Sequence, residues 1–154
     1  MSYVDRNLLP DEAVTYRTRL HWKVFAIPGL IVVFLLVPSA LLALASGAPG
    51  LALIPAAVAL AVLGVADIQR RSSEFAVTTR RVVIKLGVLN TRSIELLLPK
   101  VEGVEVTQTL AGRMFGYGQI IVTGSGGTRE TFAGIQAPLK FRQAVQAAAD
   151  RKRD

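Results

Sequence analysis

The chain has 154 residues, of which 51% are hydrophobic and 19% charged, and it carries a formal net charge of +7. Its mean hydropathy of +0.44 is high for a soluble protein, so the apolar residues must be concentrated in one part of the chain. Cysteine is absent, which excludes a disulfide framework, a thiolate metal site and a thiol nucleophile.

Residues 1–23 are polar and of mixed charge, and we expect them to form a cytoplasmic N-terminal segment. The alternation from Val14 to Leu20 is the period of a short strand or of a segment lying on a membrane surface, and the sequence leaves both alternatives open. Trp22 and Lys23 are typical interfacial anchors at a membrane boundary. His21 is the only histidine and lacks neighbouring carboxylates, so we expect an interfacial residue, not a metal ligand or catalytic base.

Residues 24–66 contain no charged side chain. One passage through the hydrocarbon core of a bilayer needs about 20 apolar residues, so the run is long enough for two. The sequence predicts a transmembrane helical hairpin over residues 24–69, with spans at about 24–45 and 50–68. Between the spans, Ser46-Gly47-Ala48-Pro49-Gly50 is an uncharged cluster of turn formers that reverses the chain.

Positive charges flank this hairpin, whereas its turn has none. The flanking cations are Arg17, Arg19, Lys23, Arg70 and Arg71. Because cytoplasmic flanks retain Lys and Arg, we expect a multi-pass protein of the cytoplasmic (inner) membrane with both termini in the cytoplasm. A cleaved signal peptide is the competing interpretation, since Ala43-Leu44-Ala45 resembles a cleavage motif. The length of the apolar run and the second span argue against it.

From Glu74 to about Ala133, short apolar runs separated by turn residues predict consecutive β-strands. The alternating apolar positions are Phe75 and Val77; Ile84, Leu86 and Val88; Ile94, Leu96 and Leu98; and Val104 and Val106. Gly124-Ser125-Gly126-Gly127 joins two further runs, 119–123 and 128–132, as a hairpin. After Pro138, apolar residues on one face predict an amphipathic C-terminal helix: Phe141, Ala144, Val145 and Ala148.

Three segments of this region carry a family resemblance through their order and spacing. They are Phe75-x-Val77-Thr78-x-x-Arg81-Val82 followed by Gly87; Pro99-x-x-x-Gly103-Val104; and Arg113-x-Phe115-Gly116-Tyr117-Gly118-x-Ile120. With them, residues 75–145 resemble the bacterial pleckstrin-homology-like (PH) domain family, and Leu8 to Glu12 extends the similarity over nearly the full chain. The layout resembles that of membrane-anchored members, which have two transmembrane helices before the domain.

The resemblance implies a strongly bent β-barrel or sandwich closed at one end by the C-terminal helix, and it implies binding, not catalysis. The expected fold class is therefore an α+β membrane protein. Its N-terminal transmembrane helical hairpin precedes a cytoplasmic PH-like domain at residues 72–150, an antiparallel β-barrel or sandwich capped by an α-helix.

The sequence contains no pattern that points to catalysis or to a cofactor. Gly116-Tyr117-Gly118 and Gly124-Ser125-Gly126-Gly127 do not lead into a helix that opens with Lys-Ser or Lys-Thr, so turns explain them better than a phosphate loop. Glu102 and Glu105 are three residues apart on a predicted strand and point to opposite faces, which argues against an acid/base pair. We expect no enzyme activity, no cofactor and no metal.

Two surfaces are candidates for binding. The first consists of cations for anionic-lipid contact, each of which gains about 1 kcal/mol near an anionic surface: Arg70, Arg71, Arg80, Arg81 and Lys85. The alternative is that these side chains only fix topology and solvate a turn. The second is an apolar loop around Arg113, a candidate partner surface or lipid-dipping surface: Leu110, Arg113, Met114 and Phe115. The alternative there is that the apolar residues plug one end of a small barrel.

The leading hypothesis is a membrane-anchored PH-like binding module that positions a protein-interaction domain at the cytoplasmic face of the membrane. The alternatives are an anionic-lipid headgroup sensor and an accessory subunit of a membrane enzyme or transporter. Candidate partners are the lipid bilayer, another membrane or cytoplasmic protein, and a second copy of the chain. The basic charge also suits nucleic acid, but a chain tethered to a bilayer favours lipid, so we expect no nucleic-acid partner.

Overall fold

The computed structural model describes residues 3–87 and 91–151. Within these residues the chain divides into two compact units. Trp22–Arg70 forms one of them, called here the helical unit. The described parts of Met1–His21 and Arg71–Asp154 together form the other, called here the β unit.

Twelve regular elements follow one another in the described residues. In chain order they are α1 (Tyr3–Arg6), β1 (Val14–Arg19), α2 (Ala26–Ser46), α3 (Leu53–Ser72), β2 (Glu74–Thr78), β3 (Arg81–Leu86), β4 (Arg92–Leu97), β5 (Val101–Thr107), α4 (Leu110–Phe115), β6 (Tyr117–Gly124), β7 (Arg129–Gln136) and α5 (Pro138–Asp150). Short 3-10 turns lie at Trp22–Phe25, Pro49–Ala52 and Leu98–Lys100. Val88, which the sequence assigned to a strand, lies outside the described residues.

Helices α2 and α3 make up most of the helical unit. Together with the preceding 3-10 turns they extend over Trp22–Ser46 and Pro49–Ser72, which are 25 and 24 residues long. By length and composition, both are apolar enough to cross a membrane. Gly47 ends α2 with a left-handed φ of 67°, a conformation that glycine adopts without the steric cost of a side chain.

Strand β1 precedes the helical unit in the sequence but belongs to the β unit. It pairs antiparallel with β2, and Arg19 lies opposite Glu74 at the end of the ladder. The register shifts between Val14 and Tyr16, where one extra residue forms a bulge. The segment whose structure the sequence left open is therefore a strand. A domain drawn at residues 72–150 lacks this strand.

The described strands form two antiparallel sheets, ordered β1-β2-β3-β4 and β5-β6-β7. At one corner an isolated bridge joins Leu20 to Ile135, and the His21 N–H donates to the Gly134 carbonyl at 2.8 Å. At another corner the turn Leu98–Lys100 separates β4 from β5, which do not pair in the described part of the chain. The α+β architecture is confirmed. Of the barrel or sandwich expected from the sequence, the described strands form two separate sheets and no closed barrel, because this turn interrupts the ladder.

Both sheets and α5 bury side chains in a common core. Phe75 and Phe132, one from each sheet, meet edge to face with ring centroids 6.1 Å apart. Phe141 of α5 is fully buried beside Tyr16 of β1, at a centroid distance of 6.4 Å. The other buried members are Leu20, Val77, Val82, Ile84, Leu98, Ile120, Val122, Ile135, Val145 and Ala148. The predicted apolar face of the C-terminal helix is confirmed, since α5 directs it into this core.

The outer face of the first sheet is also covered. Val4 of α1 is buried with Ala76 and Val83 in a second, smaller cluster, so β2 is buried on both faces. The Glu74 carboxylate accepts hydrogen bonds from the N–H groups of Tyr3 and Val4 at 3.3 and 3.2 Å. The N-terminal segment is therefore part of the β unit and not a separate polar tail.

Glu12 anchors the other end of this segment although its side chain is fully buried. Its Oε1 accepts from the Thr78 hydroxyl at 2.7 Å and from Arg81 Nε at 3.0 Å. Its Oε2 accepts from the Leu9 N–H at 2.8 Å and from Arg81 Nη2 at 2.9 Å. Burial alone would raise the pKa of Glu12, but hydrogen bonds from Arg81, Leu9 and Thr78 and the Arg81 charge hold it below its ordinary value.

Arg81 joins three parts of the β unit through one guanidinium. Besides Glu12, it binds Glu95 of β4 through Nη1 at 2.5 Å and the Asn7 carbonyl through Nη2 at 2.6 Å. Only 12% of its side chain is exposed. The hydrogen bond to Glu12 and the charges of Glu95 and Glu12 outweigh burial and raise the pKa of Arg81. Its position at the start of β3 makes it a structural cross-link between β4 and the N-terminal segment.

Because Arg19 and Glu74 are already neighbours, we expect that replacing residues 23–70 with a short Gly-Ser turn will leave the β unit folded. This protein is called here the turn variant. The fragment 72–154, which lacks α1 and β1, should not fold cooperatively, because the edge of β2 and its core residues lose their cover. Thermal unfolding followed by circular dichroism tests both. A cooperative transition in the fragment, or none in the turn variant, would contradict this account of β1.

In the turn variant, Arg81→Met should lower the free energy of unfolding by about 3–5 kcal/mol, since it leaves a buried carboxylate without its partner. The matched control is Arg129→Met, because the Arg129–Glu105 pair is 62% and 59% exposed and lies at 3.1 Å. We expect the control to cost less than about 1 kcal/mol. Urea denaturation measures both, and equal effects would mean that the Glu12–Arg81 pair contributes no more than a surface ion pair.

The lowered pKa of Glu12 fixes the sign of its pH dependence. Its contribution to stability is complete above the pKa of an unfolded glutamate, about 4.3, and is lost as the pH falls through the lower folded value. Between about pH 5 and about pH 3 the turn variant should therefore lose stability more steeply than the same protein carrying Glu12→Gln. Parallel pH profiles of the two unfolding free energies would refute the role given to this carboxylate.

Candidate functional site

The cations predicted to contact anionic lipid do not form one cluster in the β unit. Arg81 is held by the N-terminal segment and β4, as described above. Lys85 places its Nζ 4.7 Å from the centre of the Tyr3 ring, a cation–π contact. These two residues are four positions apart along β3, about 13 Å, and both support the N-terminal segment. Holding the N-terminal segment in place is neither headgroup binding nor solvation of a turn, the two alternatives that the sequence left open for these side chains.

The other predicted cations lie elsewhere. Arg70 and Arg71 are in the last turn of α3, where the chain returns to the β unit. Arg80 lies in the turn between β2 and β3 and is exposed. It lines a shallow depression of about 330 Å³ together with Asp11, Thr15, Thr79, Ala148 and Arg151. The guanidinium groups of Arg80 and Arg151 make this depression basic, although the Asp11 carboxylate would repel an anion bound there.

The predicted partner loop is a short helix, α4, held by a cap at each end. The Thr109 hydroxyl accepts from the Gly112 N–H at 3.0 Å, and Gly116 ends the helix with a φ of 74°. Leu110 and Met114, one turn apart, are each 81% exposed. They do not plug the end of the domain, so that alternative is wrong. Phe115 is 56% exposed, and Arg113 is exposed beside them.

Close packing fixes α4 against the start of β6. A Cβ at Gly112 would lie 2.7 Å from the Tyr117 carbonyl oxygen, so only glycine allows this approach. The Tyr117 ring packs against the His21 ring with centroids 5.1 Å apart. His21 is buried, which overturns the expectation of an interfacial side chain, because the chain continues past β1 into the bridge with β7. Since His21 immediately precedes the helical unit, α4 lies at the end of the β unit where the chain leaves it.

Strand β5 presents a second candidate surface. It pairs with β6 on one side and, among the described residues, with no strand on the other. Helix α5 packs against it, and the groove beside them has a volume of about 470 Å³. Its lining residues are Gly103, Val104, Glu105, Val106, Thr123 and Arg142. Arg142 Nε is buried without a hydrogen-bond partner in the described part of the structure. The unpaired edge of β5 can accept an extended peptide as an additional strand, and the Arg142 Nε–H is available to donate a hydrogen bond to it.

Within residues 3–87 and 91–151, no group of three His, Asp or Glu side chains could hold a metal ion. Gly116 ends a helix, and Gly126 and Gly127 adopt positive φ in the β6–β7 turn, which accounts for the glycine motifs by turn geometry. Periodicity did not reveal the β5 groove, because nothing in an alternating strand tells which edge stays unpaired.

Comparison with known proteins identifies the family. The family model described as "Bacterial PH domain" matches residues 23–149. No curated protein gave a match. Among solved structures, the chain is similar to a protein of the DUF1696 family with a pleckstrin-homology domain from Shewanella loihica, at 12% identity and a TM-score of 0.40, over 52% of this chain and 73% of that one. Since the family model covers well over half of the sequence, the chain belongs to the bacterial PH domain family.

Proposed function

We propose that this chain is a membrane-anchored binding module, not an enzyme, whose helical hairpin positions a protein-interaction domain at the cytoplasmic face of the membrane. The observation that carries the proposal is the pairing of Arg19 with Glu74. It forces both ends of the helical unit to leave the β unit at one place, as a hairpin that crosses a bilayer twice requires.

The helical unit has the surface that this role needs. At 1.5 Å per residue, helices of this length reach about 30 Å or more, the thickness of the hydrocarbon core. Large apolar side chains point outward along both helices, among them Ile27, Phe34, Leu44, Ile54 and Leu60. In water such a surface would drive aggregation, whereas in lipid it is the ordinary surface of a membrane helix. The cations that flank the hairpin support a cytoplasmic β unit.

The β5 edge supports protein binding. An extended segment of a partner would add a strand to β5 and form backbone hydrogen bonds, while Arg142 would donate its free Nε–H to a carbonyl or carboxylate of that segment. A partner that is itself a membrane enzyme or transporter would make this chain an accessory subunit.

An anionic-lipid sensor is the alternative, and the depression between Arg80 and Arg151 favours it. A vesicle flotation assay tests this alternative. If the chain is a sensor, the turn variant should bind phosphatidylcholine vesicles that contain phosphatidylserine and should not bind vesicles of phosphatidylcholine alone. Arg80→Ala should abolish this difference. For a protein-binding module, Arg80→Ala should leave the binding to phosphatidylserine vesicles unchanged.

Membrane topology can be tested cleanly because the chain has no cysteine. In intact cells we expect Ala48→Cys, in the turn between α2 and α3, to react with a membrane-impermeant maleimide. Ser125→Cys, in the β6–β7 turn, should react only after the membrane is permeabilised. Labelling of both residues in intact cells, or the reverse pattern, would rule out the proposed anchoring.

Partner binding can be tested by photocrosslinking in native membranes. A photoreactive residue at Glu105, exposed on β5, should capture one defined protein, and the yield should fall when Arg142→Ala is added. The control position is Arg6, which is also exposed but lies in α1, on the outer face of the other sheet. Identical products from both positions, or capture that is indifferent to Arg142, would exclude the β5 groove as the docking site.

A further inference from the structure

Helix α4 presents an apolar surface that neither the β5 groove nor the helical hairpin explains. Leu110 and Met114 lie on one face of the helix and are almost fully exposed, with Phe115 partly exposed next to Met114. The helix is short, but its caps and the tight contact of Gly112 hold it in place. A fixed apolar face of this kind marks an interaction surface and not a mobile loop.

The position of α4 within the β unit indicates what covers it. The His21 ring packs on Tyr117, and the Ala137 N–H donates to the Gly116 carbonyl at 2.8 Å, so α4 is fixed beside the residues from which the chain leaves toward α2. On the other side of the same exit, Glu74 lies opposite Arg19. The β6–β7 turn is at the far end of β6, about 23 Å away.

We infer that α4 dips into the leaflet in which the helical hairpin is anchored, with Leu110 and Met114 among the acyl chains and Arg113 at the headgroups. This inference rests on the proposed membrane anchoring. An apolar face with an adjacent cation is the chemistry of an interfacial segment, because the cation attracts anionic headgroups while the apolar residues leave water. The proposed anchoring holds the end of the domain where the chain leaves toward α2 next to the membrane. The leaflet is therefore the apolar surface available to cover α4. The contact would make α4 a third attachment beside the two helices.

The test uses the purified full chain in phosphatidylcholine vesicles with phosphatidylserine, at low protein-to-lipid ratio. Single cysteines at Met114, Leu110, Ser125 and Val37 carry an environment-sensitive fluorophore. We expect the labels at Met114 and Leu110 to show blue-shifted emission and quenching by a nitroxide placed near the headgroup end of the acyl chains. The Ser125 label should show neither. Labels are placed at two positions of α4 so that the test remains valid if one of these two variants does not fold.

The Val37 label, midway along α2, separates the two proposals. Quenching at Val37 by deep nitroxides, without quenching at Met114 and Leu110, would overturn the inference on α4 and leave the proposed anchoring intact. No quenching at Val37 would overturn both. A third outcome would also overturn the inference. If the blue shift of the Met114 label increases with protein concentration and lipid nitroxides do not quench this label, a second copy of the chain covers α4.

Discussion

The pairing of β1 with β2 is the constraint on which the rest of the chain depends. It closes the first sheet at one edge, carries Leu20 into the core and brings both ends of the helical unit together at Arg19 and Glu74. The carboxylates of Glu12 and Glu74 then fix the N-terminal segment over the outer face of that sheet. A domain that began at residue 72 would lack all of these contacts. The PH domain of this chain is therefore discontinuous in sequence and continuous in space.

Much of this fold could be predicted from local patterns. An uncharged run of sufficient length predicted α2 and α3 within a few residues, because two membrane helices need that many apolar positions. Alternation with a period of two predicted the strands from Phe75 onward, and the spacing of Phe141, Val145 and Ala148 predicted the buried face of α5. The order and spacing of the three motif segments between Phe75 and Ile120 were enough to identify the family.

The features that sequence patterns missed depend on contacts between distant residues. Nothing local to Val4 shows that it covers Ala76, so the N-terminal segment resembled a polar tail. Arg81 resembled a free cation because its partner Glu12 lies far away in the sequence. The six residues of α4 are too few to display a helical period, although Thr109 and Gly116 are suitable caps. The break between β4 and β5, which excludes a closed barrel, is likewise invisible in an alternating pattern.

Insertion of the helical unit between β1 and β2 also affects the order in which the domain folds. During synthesis β1 appears before its partner, and closing so long a loop in a disordered chain costs conformational entropy that grows with loop length. Under the proposed anchoring, a hairpin of α2 and α3 that forms first would bring Arg19 and Glu74 together, so much of this cost would be met before the strands pair. Under the proposed anchoring, the bilayer would then also serve as the template on which the sheet begins.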